Sequence, residues 1–255
     1  KVVPSPSCWS KVGHGSVNVV KAIGESCNYF FYEVGFRLGL DSNGYYNSEY
    51  GIQRLRKYMA LFGLDRTSGI ELEESEPTMS DMDPVLSAIG QARNSYTPSQ
   101  LARYITTVAS RGDLYNLSIL DKLTDSNDQL LEDYAPQIID HVDFKESTWD
   151  SIFYGMYKVI GNSSFLSVFS DLDVEVAGKS GTAQENALRP DHGLFVSFAP
   201  YDDPEITVTV VLPYGYGSYN SGSVAKNMLA YVFHQTEATD GKRQAANVDG
   251  STVSD

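Results

Sequence analysis

Lys179, Ser180, Gly181 and Thr182 follow one another between the segment Asp171–Gly178 and the apolar run His192–Pro200. A lysine and two hydroxyls on a glycine-interrupted strand make a binding edge. The cation and hydroxyls can hold a carboxylate through charge-assisted hydrogen bonds, and the glycine lets a ligand backbone lie against the strand. Alone, the triplet Lys-Ser-Gly is ordinary surface composition. Its meaning depends on the rest of the chain.

A second group with chemical potential is Ser26-Cys27-Asn28. Val20, Ile23, Cys27, Phe30, Phe31 and Val34 recur at three- and four-residue steps, which predicts one apolar helix stripe within a helical region Val17–Leu40. Ser26 and Asn28 then project near a junction of two helical segments, where a hydroxyl and an amide can face a cleft. Ser-x-Asn by itself also fits an unremarkable helix boundary.

The elements around these groups are legible in outline. Gly51–Gly63 reads as an amphipathic helix stopped by its final glycine. Glu71–Pro84 is acidic and contains proline, hence a loop. Thr97 and Pro98 signal an N-cap and a first helical position, with helix over Ser99–Ser110. Leu114–Ile139 reads as exposed strands and loops, and Ser147–Ile160 as helix. Glu175–Gln184, Gly193–Ala199 and Glu205–Leu212 are three predicted strands, and Ser221–Phe233 is an apolar-periodic helix. Lys1–Lys11 is irregular. Thr236–Asp255 is polar, poor in apolar residues and reads as a disordered tail.

Motifs along the chain bind these pieces together. Gly13-His14-Gly15 precedes the Ser-x-Asn helix. Gly63–Glu74 carries Thr67-Ser-Gly-Ile-Glu-Leu-Glu-Glu74. Ala88-Ile-Gly-Gln-Ala92 leads to Thr97-Pro-Ser-Gln-Leu-Ala102, then Gly155-Met-Tyr-Lys-Val159 and Asp191–Ile206. With Ser-x-Asn and Lys-Ser-Gly-Thr, this order over Gly13–Phe233 resembles the transpeptidase domain of class B penicillin-binding proteins, most like the elongation-type penicillin-binding protein 2 group. The resemblance implies an α/β (α+β) fold, an antiparallel sheet flanked by helices, over residues 1–235. It implies a peptidoglycan D,D-transpeptidase that is acylated by β-lactams, at the extracytoplasmic face of a bacterial membrane. It also implies catalytic roles for Ser26, Asn28, Lys179 and Thr182, and substrate contacts from Ser180, Gly181, Thr182 and Gln184. The implied partners are the D-Ala-D-Ala end of a stem peptide, β-lactams and elongation-complex membrane proteins. A β-lactam sensor without turnover, a D,D-carboxypeptidase and a serine β-lactamase stay open as alternatives.

One departure is large. The family's nucleophile sits in Ser-x-x-Lys upstream of Ser-x-Asn, yet only 25 residues precede Ser26 and none starts such a motif. Cys8-Trp-Ser-Lys11 has Cys in place of Ser. Ser223-Val-Ala-Lys226 lies in the C-terminal helix and reads as a decoy. The nucleophile serine, its lysine, the helix that bears them and the first strands of the sheet are therefore expected on an upstream segment. Ala92 departs from the family's glycine at that place, so its backbone is expected to avoid positive φ.

Composition narrows the classes. A net charge of −14 argues against nucleic-acid binding and gives no support for a polybasic membrane contact. Two cysteines are too few for a disulfide framework. Cys8 and His14 offer two soft metal ligands where a structural zinc needs four, so neither metal nor cofactor is expected. His14 reads as a turn contact and His192 as structural. The loop Tyr214–Tyr219 is a candidate cleft rim.

Overall fold

The computed structural model describes residues 6–185 and 188–234. The tail expected to be disordered over 236–255 lies outside the described residues, as do residues 1–5.

The centre is an antiparallel sheet of three strands, β5 (Ala177–Ala183), β6 (His192–Ala199) and β7 (Ile206–Leu212), in that spatial order. Four shorter strands precede it in the chain: β1 (Asp113–Asn116), β2 (Lys122–Thr124), β3 (Leu130–Asp133) and β4 (Gln137–His141). They form two antiparallel ribbons, β1–β4 and β2–β3, where the sequence predicts exposed strands and loops. The three main strands agree with their predicted spans to within two residues at each end.

The apolar run of β6 is explained by burial on both faces, the usual fate of a central strand covered by helices on each side. Phe195 and Phe198 are three residues apart and so project to opposite faces. Phe195 packs with Val208, Val210, Ala225 and Leu229, beneath helix α8 (Ser218–Val232). Phe198 packs with Ile105, Val108, Phe153 and Met156, from α5 (Pro98–Ala109) and α6 (Glu146–Ile160). A short helix not predicted from the sequence, α7 (Ser163–Phe169), adds Phe165 and Phe169 to the first of these cores. The antiparallel sheet flanked by helices is the expected fold class.

Helix α5 starts as predicted, with Thr97 and Gln100 forming a reciprocal capping box and Pro98 in the first turn. Helix α3 (Ser48–Leu61) begins three residues before the predicted Gly51, because the Asn47 side chain caps it by accepting from Tyr50 N. The Glu71–Pro84 loop ends on a short helix, α4 (Pro84–Ser87), capped by Asp83.

Two expectations fail. The helical region Val17–Leu40 is two helices, α1 (Val19–Gly24) and α2 (Asn28–Leu38), with the expected junction at Ser26, but the apolar stripe drawn through both does not hold. Cys27 is buried, but Val34 is exposed, while Ala22, Tyr32 and Gly35 carry the packing. The turn at Ser26 resets the helical phase, so residues before and after it no longer share one face. Ala92 does adopt positive φ (68°), contrary to expectation, so this backbone accepts the left-handed conformation without glycine.

Candidate active site

Ser26 sits in the turn between α1 and α2 with φ at 49°, a left-handed conformation that non-glycine residues rarely adopt. The turn is held from several sides. Ser26 N donates to Ile23 O and Cys27 N to Ala22 O, both closing α1. Asn162 Nδ2 donates to Gly24 O. Trp9 Nε1 donates to Ser26 O at 3.0 Å and to Glu25 O at 3.3 Å. Strain of this kind persists only where the surroundings over-determine it, and here they do.

Helix α1 reaches this position by packing on α6. A Cβ on Gly155 would meet Ile23 Cβ at 2.8 Å, so the close approach of the two helices requires glycine there.

Strand β5 presents Lys179 to the turn. Its register pairs Lys179 with Val196, Ser180 with Phe195 and Thr182 with Gly193. Alternation places Lys179 and Gly181 on the α6 side with Ala177, and Ser180 and Thr182 on the other. Lys179 Nζ lies 2.5 Å from Ser26 Oγ and 2.7 Å from Ser180 O. Burial of the ammonium pushes the Lys179 pKa down to about 8, close enough to neutrality for proton exchange with a hydroxyl. Among the described residues β5 pairs only with β6, so its other edge is open. That edge can take an extended ligand by strand addition, with side chains from both faces beside it.

The other predicted residues are placed less tightly. Ser180 is half-buried, and Thr182 and Gln184 are exposed on the same stretch. Asn28 opens α2 and is half-buried. The structure brings Ser26 and Lys179 into contact, and the remaining residues follow them on the same two elements.

The Tyr/Gly loop offered as a candidate rim is tied to the start of β6. Tyr214 N donates to His192 Nδ1 at 3.2 Å, which leaves Nε2 to carry the proton, 3.5 Å from Glu185. Arg189 donates to the Tyr214 hydroxyl at 2.6 Å, and Tyr216 N to Asp191 O at 3.1 Å. His192 therefore ties loop to strand, in agreement with its structural reading. Ser223 and Lys226 sit on α8 beneath the Phe195 face, where Lys226 pairs with Asp171 at 2.6 Å. The opposite face of the sheet carries Lys179, which fits the reading of Ser223-x-x-Lys226 as a decoy. A depression of about 580 Å³ between α1, α6 and α7 is lined by neither Ser26 nor Lys179.

Sequence reasoning found two of the three members of a cluster beside the turn. Cys8 Sγ is 3.5 Å from His14 Nδ1, and the ligand atoms of Cys8, His14 and Cys27 all lie within 4.8 Å of one another. Both cysteines are free. Burial alone would raise the Cys8 thiol, but backbone hydrogen bonds at Ser10, Tyr29 and Asn28 and the Cys27 side chain outweigh it, and its pKa falls. The buried His14 Nε2 has no hydrogen-bond partner among the described residues. A thiol of lowered pKa, a second thiol and an imidazole make a donor set that fits a soft tetrahedral ion such as Zn²⁺, three ligands of four. His14 is thus more than the turn contact predicted. The signal available was the third soft ligand, Cys27, which the sequence reading assigned wholly to packing.

With the geometry in hand, the comparisons are specific. The family described as penicillin binding protein transpeptidase domain matches residues 5–234. The peptidoglycan D,D-transpeptidase MrdA of Haemophilus influenzae is 30% identical over 261 aligned residues, covering 89% of this chain and 38% of that protein. A crystal structure of Pseudomonas aeruginosa PBP2 in complex with WCK 5153 superposes with a TM-score of 0.74 at 26% identity, over 94% of this chain and 52% of that one. The complex of PBP2 and MreC from Helicobacter pylori gives a TM-score of 0.71 at 22% identity, over 89% of this chain and 42% of that one. The chain thus spans well under half the length of the curated relative. The match over nearly all of the sequence, and a Lys179–Ser26 contact that joins its two motifs in space, place this chain in the penicillin-binding protein transpeptidase family.

Proposed function

We propose that this chain is the C-terminal part of a peptidoglycan D,D-transpeptidase domain, and that its Ser-x-x-Lys nucleophile is carried on a preceding segment of the same protein. The observation that carries the reading is the contact between Lys179 Nζ and Ser26 Oγ at the open edge of β5. A D-alanyl-D-alanine stem lies along that edge as an added strand. Its terminal carboxylate meets the Lys179 potential and the Ser180 and Thr182 hydroxyls, while Gly181 leaves room for its backbone and Gln184 borders its far end.

The serine attacks the D-alanyl carbonyl, and the bond to the terminal D-alanine breaks to leave an acyl-enzyme. The Thr182 backbone N–H is one oxyanion donor, with the nucleophile's own N–H as the other. Ser26, bridged to Lys179, passes a proton to the departing amine. Asn28 holds the stem's side-chain amide. An amine of a neighbouring stem then takes the acyl group and forms the cross-link. β-Lactams enter as mimics of the dipeptide.

Elongation-complex membrane proteins are the proposed partners, and the extracytoplasmic face of a bacterial membrane the proposed location. Support comes from the likeness to MrdA. No helix among the described residues is long and apolar enough to cross a membrane.

The test is denaturing mass spectrometry of the full chain after incubation with a penicillin, combined with a cross-linking assay on stem peptides. A penicilloyl adduct on the serine of an upstream Ser-x-x-Lys, together with dimeric stem product, is expected. An adduct on Ser223, or none, would overturn the assignment. Acylation without dimeric product would point to a sensor or a hydrolase.

A further inference from the structure

The β2–β3 ribbon stands apart from the body of the protein. Neither strand packs extensively on any helix or on another strand outside the ribbon. Its attachment runs through Glu71, which accepts from Ser118 Oγ at 2.6 Å and from Ile119 N at 3.0 Å, just ahead of β2. Leu130 and Leu131 are consecutive in β3, so they project to opposite faces, yet they are 61% and 62% exposed. Ile119, Leu120 and Leu123 are also exposed. A ribbon that shows leucines on both faces has no interior of its own to hide them in. A two-stranded ribbon is marginal by itself, and apolar side chains exposed on both of its faces gain by being covered.

Charge narrows what could cover it. Between Asp121 and Asp133 the ribbon holds five carboxylates (Asp121, Asp125, Asp128, Glu132 and Asp133) against the single cation Lys122. Asp125 is occupied in its own turn, accepting from Asn127 N and Gln129 N. Pairing sets Glu132 opposite Leu123 and Asp133 opposite Lys122, so both faces mix apolar and acidic groups. A second copy would bring carboxylate against carboxylate, and an anionic bilayer would be repelled in the same way. Each strand also keeps one edge unpaired among the described residues. An unpaired edge is a template for a further strand.

From these observations we infer that the β2–β3 ribbon is a docking site for a cationic protein segment that alternates basic and apolar residues and adds as a strand to the ribbon edge. The leucines bury against the segment's apolar residues, and its lysines or arginines meet the carboxylates. This site uses neither the Lys179 edge nor the Ser26 turn.

The probe is a dye-labelled octapeptide of alternating Lys and Val, with the alternating Glu-Val octapeptide as its counterpart, followed by fluorescence anisotropy on the full chain. Binding of the Lys-Val peptide should weaken by more than about tenfold in Leu130→Ser/Leu131→Ser and in Glu132→Lys/Asp133→Lys. It should be unchanged in Asp202→Lys/Asp203→Lys, which alters an acidic turn elsewhere. All substituted positions are exposed, and an unchanged melting temperature checks that each variant folds. Equal binding to every variant, binding of the Glu-Val peptide, or no binding would overturn the proposal. So would a ribbon-dependent association seen only with phosphatidylglycerol vesicles, or only between copies of the chain.

Discussion

The Lys179 ammonium lies 2.5 Å from Ser26 Oγ, joining two residues 153 positions apart in the chain. If Ser26 moves a proton under the influence of Lys179, removing either group should slow acylation. We expect Ser26→Ala to lower the second-order rate with a fluorescent penicillin by roughly 10²–10⁴. Lys179→Ala should cost a similar factor, and the double variant should lose much less than the product of the two, since the groups act as a unit. A full multiplicative loss would show that they act independently.

Burial holds the Lys179 pKa at about 8, below its ordinary value of 10.5. The positive charge proposed to meet a substrate carboxylate is therefore lost as pH rises through about 8, and acylation by a carboxylate-bearing β-lactam should fall there. Lys179→Arg, if it folds and reacts, should abolish that fall, because guanidinium stays charged. Stability carries the opposite sign. The folded state disfavours the charged lysine, so the penalty is complete below about pH 8 and disappears above the ordinary lysine value. Lys179→Met should raise stability at pH 7 by about 2 kcal/mol, with the gain vanishing near pH 11, as measured by urea denaturation.

The buried Arg103 guanidinium donates to three carbonyls of the loop after α3, those of Gly63, Arg66 and Thr67. Arg103→Met would strand those acceptors and should cost about 3 kcal/mol, lowering the melting temperature by roughly 10 °C. Glu74 anchors the same region. Burial would raise its carboxyl, but hydrogen bonds from Ser99, Thr97 and Ser68 outweigh it and hold it below the usual range. Its contribution is present at neutral pH and is lost as pH falls through the lowered value. Glu74→Gln should destabilise by about 1–2 kcal/mol at pH 7 and by less in acid.

Gly193 stands opposite Thr182, and a Cβ there would meet Gly217 O at 2.5 Å. Gly193→Ala should push the Tyr214–Tyr219 loop off β6. The expected result is a stability loss of about 2 kcal/mol together with slower β-lactam acylation. Unchanged acylation in a folded variant would remove that loop from the cleft.

Cys8, His14 and Cys27 should retain one zinc per chain through purification in chelator-free buffer, measured by elemental analysis. Cys8→Ser and His14→Ala should each lower the metal content and the melting temperature. Trp9 lies between Cys8 and His14 in the chain and donates to Ser26 O, so loss of the cluster should also slow acylation. Metal content unchanged in both variants would show that the three residues serve packing alone.

Much of this protein was legible without coordinates. The apolar runs of β6 and β7 and the Thr97-Pro98 signal are local codes, written in period and capping chemistry, and they fall where predicted. The order of motifs pointed to the family because their types and spacing recur in combination. The junction near Ser26 was expected too, but its left-handed conformation is another matter. Residues on both sides of it have helical composition, and only packing of α1 against α6, with Trp9 and Asn162 holding the turn, makes the strained conformation stable. The positive φ of Ala92 and the helix at Ser163–Phe169 were likewise outside local reach.

The sequence by itself determined which residues have the chemistry: Lys179 with its neighbouring hydroxyls, Ser26 with Asn28, and three soft ligands scattered over positions 8 to 27. Tertiary structure decided which of them meet. A proton can pass from lysine to serine only over hydrogen-bond distance, and a metal needs its donors within a few ångströms of one another. Both are properties of strand register and helix packing over long loops, and neither is encoded in spacing along the chain. The same reason separates the leucines of β3 from the phenylalanines of β6. Composition makes both apolar, but only the β6 residues have helices on both faces to bury them.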